Sequence, residues 1–272
     1  MILFTFGYMN PKFLPGLLVA LLSSFSLRAQ ILNIDKQDTS DYVHHAKVNF
    51  NFNTGLEIDQ QKQTLYDATN TAELMIQDYR ELFIMAGSYR FTYNGPQDIL
   101  NAGYIHLRWR HDYKNKIQPE PFVQYQWDNK RGIRHRALGG INARYNFWKG
   151  DRFDLNCGAG PMYEVEKWDY TAVDSAKIPA NAQPVVNHLF KINSYVRLDW
   201  KIGANSDITF NLFLQTRPDR FQPRIAPHAQ WDIKAGKHVG FSVAYTGLYD
   251  TRPVVPIEKF YYSLSNSLLL SF

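Results

Sequence analysis

The last thirteen residues, FYYSLSNSLLLSF (260–272), decide the fold. Phe260, Tyr262, Leu264, Leu268, Leu270 and Phe272 take the even positions, and Ser263, Ser265, Ser267 and Ser271 fall on odd ones. Successive side chains of a strand point to opposite faces, so this segment has one apolar and one polar face. The chain stops on an aromatic residue with no polar tail.

The same alternation recurs upstream in about twelve segments of ~10–14 residues, near the length a tilted membrane strand needs. The first begins at Ala46, with Val48, Phe50 and Phe52 against Lys47, Asn49 and Asn51. Later segments set Ile105, Leu107 and Trp109 against His106, Arg108 and Arg110, and Val123, Tyr125 and Trp127 against Glu120, Gln124 and Gln126. In further ones Ile141, Ala143 and Tyr145 oppose Asn142 and Arg144, and Tyr163 and Val165 oppose Glu164 and Glu166. Phe190, Ile192, Val196 and Leu198 oppose Lys191, Asn193, Arg197 and Asp199.

At the other end, Lys12 precedes the apolar run FLPGLLVALLSSF (13–25), and Leu27-Arg28-Ala29 leads into Gln30. A cation, a short apolar core and a small residue describe a secretory signal peptide, cut after Ala29. The run is short for a membrane helix, which needs about 20 apolar residues. The expected organisation is a leader over 1–29, a periplasmic segment over 30–45 and a barrel over 46–272.

Composition agrees. Mean hydropathy is −0.37 with 15% aromatics, as expected where only alternate residues face lipid. Loss of Lys12 and Arg28 with the leader lowers the formal net charge from +5 to +3, too small an excess for a nucleic-acid partner. The lone cysteine, Cys157, has no partner for an internal disulfide.

Connections after even-numbered strands are short (78–79, 113–116, 149–150, 203–206, 235–236), as periplasmic turns are. The longest, Asp169 to Pro184, follows the seventh strand, and Arg217–Pro223 and Thr251–Ile257 lie on the same side. Trp109, Trp127, Trp148, Trp168, Trp200 and Trp231 fall near strand ends, where a membrane-interface girdle is expected. The fold class read from these signals is all-β: a transmembrane antiparallel up-and-down barrel of about 12 strands after a cleaved signal peptide.

Leader, strands and the terminal Phe272 together resemble Gram-negative outer-membrane barrels, in which Phe272 would serve as the assembly signal. Three stretches, NFNTGLEIDQQ (51–61), YRFTYNG (89–95) and FVQYQWDNKRGIRHRALGGINARY (122–145), are similar to domain-of-unknown-function family 481, described as salt-induced outer-membrane proteins. The resemblance implies a barrel of unestablished role and brings no functional residues with it. It also implies outer-membrane lipid and the barrel-assembly machinery as partners.

Catalytic chemistry finds little purchase. A barrel lipid hydrolase is expected to pair His and Ser two apart on one strand, and no His-x-Ser occurs. By parity His106 and His228 face inward, leaving His188 as the one histidine facing lipid near the outer rim. Asp128, His135, Glu164, Glu166 and Asp169 form a charged outer mouth without a spacing that specifies a protease. His44-His45 lacks third and fourth ligands, so no metal and no cofactor are expected.

The inward set mixes both signs. Candidate lumen-lining residues are His106, Arg108, Arg110, Glu120, Gln124, Arg144, Asp154, Lys191, Arg197 and Asp199. Hairpin pairing sets Arg108 opposite Glu120, His106 opposite Phe122, and Arg144 opposite Asp154. The expected function is a narrow pore or transporter for small solutes, its selectivity set by inward arginines. The alternative is a non-conducting structural or surface-interaction barrel, and the third reading is an outer-membrane lipid hydrolase.

Overall fold

The structure is a computed structural model that describes residues 46–60, 64–95, 97–236 and 239–270. The leader, His44-His45 and Phe272 lie outside the described residues. Twelve strands run in chain order: β1 (Lys47–Gln60), β2 (Thr64–Gln77), β3 (Glu81–Asn94), β4 (Gln97–His111), β5 (Ile117–Asp128) and β6 (Ile133–Lys149), then β7 (Phe153–Trp168), β8 (Val185–Gly203), β9 (Ser206–Thr216), β10 (Arg224–Lys234), β11 (Val239–Asp250) and β12 (Phe260–Leu270). Each pairs antiparallel with the next, giving one sheet of order β1 to β12. Among the described residues β1 and β12 are the ends of that ladder and share no registered pairing.

The alternation sorts side chains inside out. Outward Val123 is 53% exposed, whereas its inward neighbours Phe122 and Glu120 are 7% and 0% exposed. Phe50, Leu107, Ile141, Phe190 and Leu264 repeat the outward pattern, and Arg108, Arg144, Glu164 and Lys191 the inward one. An outward surface this rich in large apolar groups, around buried charge, is that of a transmembrane barrel.

Contacts between non-neighbouring strands show how the sheet curls. Strands three apart in a flat sheet lie about 14 Å apart. Yet Tyr195 Oη on β8 donates to Glu120 Oε1 on β5 at 2.9 Å, and Arg136 Nη2 on β6 donates to Gln215 Oε1 on β9 at 3.0 Å. The Arg131 guanidinium, from the turn between β5 and β6, sits 5.6 Å from the Tyr261 ring centre on β12. Gly158 permits the approach of Tyr195, since a Cβ there would run into that ring.

Prolines interrupt the ladder on one side only, because each removes one N–H. Pro161 coincides with the break in the β6–β7 register between Gly140↔Met162 and Ala143↔Ala159, while Pro161↔Ile192 persists toward β8. Pro227 coincides with the break between Ile225↔Tyr249 and His228↔Thr246, while Pro227↔Leu212 persists. Pro119 and Pro121 do the same to β4–β5, whose register ends at Arg108↔Phe122.

Two expected registers are corrected. Arg108 pairs with Phe122 and His106 with Gln124, two residues along from the expected positions. The connection from Asp112 to Lys116 is a wide turn, with Asp112 at φ 47 and Gln118 Nε2 donating to the Tyr113 and Asn115 carbonyls. Arg144 pairs with Gly158, and Asp154 pairs with Lys149, because the hairpin turns at Asp151-Arg152, where Gly150 N donates to the Phe153 carbonyl, and not at Lys149-Gly150; a bulge between Asn146 and Trp148 shifts the pairing by only one residue. Asp154 accepts from the Gly150 N–H at 3.1 Å and belongs to the turn. The connections after β1 and β3 are also short (61–63 and 95–96), so long outer loops rise only between β7 and β12.

Candidate functional site

The candidate site is the barrel interior, where two carboxylates act as hubs. Glu120 on β5 is fully buried. Arg110 Nε donates to its Oε2 at 2.8 Å, and Arg108 Nη1 and Arg144 Nη1 lie at 3.8 and 3.9 Å. Its Oε1 accepts from Tyr195 Oη at 2.9 Å and from Asn142 Nδ2 at 3.4 Å.

Glu164 on β7 is the second hub, nearer the outer end. Arg136 Nε donates to Oε2 at 2.7 Å, Lys191 Nζ donates to Oε1 at 2.5 Å, and Arg224 Nη1 lies 3.6 Å away. Arg224 also donates to Asp250 Oδ2 at 2.9 Å and approaches Glu166 Oε2 at 3.7 Å.

Amide side chains link the hubs. Asn193 Nδ2 donates to Asn142 Oδ1, and Gln215 Nε2 to Asn193 Oδ1, both at 3.2 Å. Gln215 then accepts from Arg136. A cavity of about 30 Å³ remains among His106, Gln124, Asn142, Asn193 and Gln215, the space of about one water.

Apolar clusters lie toward both ends of the barrel. Near the turn side, Met75, Leu82, Ile84, Ala86 and Tyr113 pack together inside the wall. At the outer end, Ile133, Trp168, Val173 and Val255 form a cap with Tyr170, Val254 and Ile257. This corrects Trp168 as a girdle residue: it lies on the inward parity of β7 and is fully buried beneath the loops after β7 and β11. Trp109, Trp148, Trp200 and Trp231 stand exposed on the outward face, and Trp127 is half-buried.

The cap is pinned at Gly132, whose φ is 70. Its carbonyl accepts from Asp169 N at 2.9 Å, and a Cβ there would collide with the Asp169 carbonyl. Burial pulls Arg131 in the adjoining turn down to about 10, against the opposing attraction of Asp128. Burial raises the Asp169 carboxyl, but hydrogen bonds from Thr171 and Arg134 outweigh this and hold it below its ordinary value of 3.8.

A depressed carboxyl stabilises the fold above its unfolded value and loses that contribution as pH falls through the folded value. The loop 170–184 is therefore expected to stay protected above about pH 4 and loosen below it. Deuterium uptake of that loop, corrected for intrinsic exchange, checks this. Asp169→Asn should abolish the dependence; a dependence kept in the variant refutes the assignment.

The structure brings together Arg108, Arg110, Glu120 and Arg144 at one hub and Lys191 at the other. His106 stacks on Phe122 at 6.2 Å and contacts Gln124 Oε1 at 3.0 Å. Arg197 pairs with Asp199 at 2.5 Å, separate from both hubs. The supposed rim cluster is divided: Glu164 and Glu166 join the interior network, whereas His135 faces outward with Tyr125 Oη at 2.5 Å from Nδ1. His135 thus shares the outward face with His188, which lies 3.2 Å from Tyr163 Oη. Among the described residues no group of three His, Cys, Asp or Glu is placed to hold a metal.

Sequence reasoning missed Tyr195, Arg136 and Arg224 as interior contacts, and put Asn193 and Gln215 on the polar face without naming them as lumen-lining. Parity places Tyr195 beside Asn193 and Arg197, so that signal was available. Nothing local marks which carboxylate each residue meets.

The family model described as "Protein of unknown function, DUF481" matches residues 83–272. Among curated proteins none matches this chain. Among solved structures, the NanC porin is similar at a TM-score of 0.45 and 9% identity, covering 81% of this chain and 99% of its own. The translocator domain of the autotransporter NalP from Neisseria meningitidis has a TM-score of 0.45 at 10% identity, covering 88% of this chain and 91% of its own.

Proposed function

The chain belongs to the DUF481 family, and from that premise we propose that it is an outer-membrane β-barrel that does not conduct in its resting state. It acts as a structural or surface-interaction barrel, presenting its outer loops and membrane-facing wall. One observation carries the reading: Glu120 and Glu164 are both fully buried in the lumen, with a hydrogen bond that crosses from β5 to β8 and an ion-pair contact that crosses from β7 to β10. Charged groups packed in this way support a lumen that does not pass solute. The aromatic outward face and short turns support the membrane placement, and hydrolysis has no part in the proposal.

The narrow-pore reading favoured by the sequence stands second. The small polar cavity lined by His106, Asn142 and Gln215 supports it, as a constriction that a rearranging network would widen. Planar-bilayer recording of folded protein separates the two. The wild type is expected to be silent, and Glu120→Ala with Glu164→Ala to admit leak currents. Discrete steps from the wild type, with selectivity altered by Arg108→Ala and Arg144→Ala, would establish the pore.

A further inference from the structure

The wall between β4 and β5 is parted. Pro119 and Pro121 lie two apart, so their missing N–H groups belong to the same edge of β5. On the β6 side pairing continues through Pro121↔Ile141 and Pro119↔Ala143 to Ile117↔Tyr145. On the β4 side no registered pair follows Arg108↔Phe122, although β4 runs on to His111. The break therefore faces β4.

A groove of about 580 Å³ lies over this seam, within the range of sites that hold small ligands. Its lining includes outward Met85, Leu107 and Trp109 and inward Ile84 and Phe122, with Gly139 leaving room on the β6 side. Residues of both faces line it, so the groove enters the wall rather than lying flat upon it.

Its depth is fixed by Trp109, whose Nε1 donates to Glu81 Oε2 at 2.5 Å at the first residue of β3. An indole with its N–H on a carboxylate marks the membrane interface on the turn side. Arg80 and Lys116 stand exposed just beyond it. Carbon-lined space in the hydrocarbon region, with cations at headgroup level, matches a chain carrying an anionic phosphate. An acyl chain brings no polar backbone into the hydrocarbon, unlike a peptide.

We infer that this seam seats one acyl chain of a phospholipid from the periplasmic leaflet, with the phosphate at the level of Arg80 and Lys116. The inference rests on the membrane-barrel reading above.

The test reconstitutes the protein in vesicles of phosphatidylethanolamine and phosphatidylglycerol, extracts it in detergent and weighs the intact particle by native mass spectrometry. A Cβ at Gly139 meets nothing nearer than Val123 Cγ1 at 3.4 Å, so Gly139→Leu fills the groove while keeping the fold. Ala143→Leu, outward on the same strand but outside the groove, is the control. The wild type and the control are expected to retain one phospholipid, and Gly139→Leu to lose it. Equal retention in all three, no retention, a phosphorylated glycolipid of the outer leaflet instead, or a lipid-free dimer overturns the seat. Heat-dependent gel mobility read alongside keeps the failures apart. A chain soluble without detergent sinks the membrane reading, whereas a folded, detergent-dependent barrel without lipid sinks only the seat.

Discussion

Glu164→Ala is expected to destabilise the barrel by about 3–5 kcal/mol, the usual cost of removing one partner from a buried ion pair. The carboxylate sits among Arg136, Lys191 and Arg224 at zero exposure. Its removal leaves three cations in the interior with less compensation. Arg224 retains Asp250 at 2.9 Å and Glu166 at 3.7 Å, whereas Lys191 loses a 2.5 Å partner. Lys191 and Arg136 therefore carry most of the loss. Urea unfolding in lipid vesicles, followed by tryptophan fluorescence, measures it. Asp219→Ala, which breaks the exposed pair with Arg217 on an outer loop, should leave the midpoint where it is. Equal midpoints for the two variants would mean that the interior hub does not hold the wall together.

The second large effect is expected on the other side of the wall. Val123 is 53% exposed at the middle of β5. On a water-facing strand such a substitution stays within about ±0.5 kcal/mol. Facing hydrocarbon, Val123→Arg is expected to cost about 2–4 kcal/mol. Asn115→Arg in the exposed turn after β4 serves as the reference and should cost little. A neutral Val123→Arg in vesicles would remove the main physical ground for placing this surface in a membrane.

The two experiments probe opposite faces of one strand system. Glu120 and Val123 stand three residues apart on β5, one fully buried among arginines and the other open to the surroundings. The outward face needs only to be apolar, so its energetics are spread over many side chains. The inward face concentrates its energy in a few charges, and single substitutions there have large effects.

Much of this was legible residue by residue. The alternation in 260–272 and its repeats located all twelve strands to within a few residues. It placed Arg108, Glu120, Arg144 and Lys191 inside and Leu107, Val123 and Phe190 outside. It failed at Trp168, where proximity to a strand end was taken for interface although parity already pointed inward. It failed again at Arg144 and Asp154, where the hairpin turns at Asp151-Arg152 and not at Lys149-Gly150. Pro119 and Pro121 were visible throughout, but only the surviving β5–β6 ladder reveals which neighbour they part from.

The sequence by itself determined which face of the wall each side chain occupies, because a period of two is a local property of extended backbone and needs no distant partner. The tertiary structure alone decided that Tyr195 reaches Glu120, that Arg224 joins Glu164, and that loops after β7 and β11 bury Trp168. Those contacts follow from turn lengths, bulges and the curl of the sheet. Each sums small displacements over several strands, and no short stretch of residues encodes that sum.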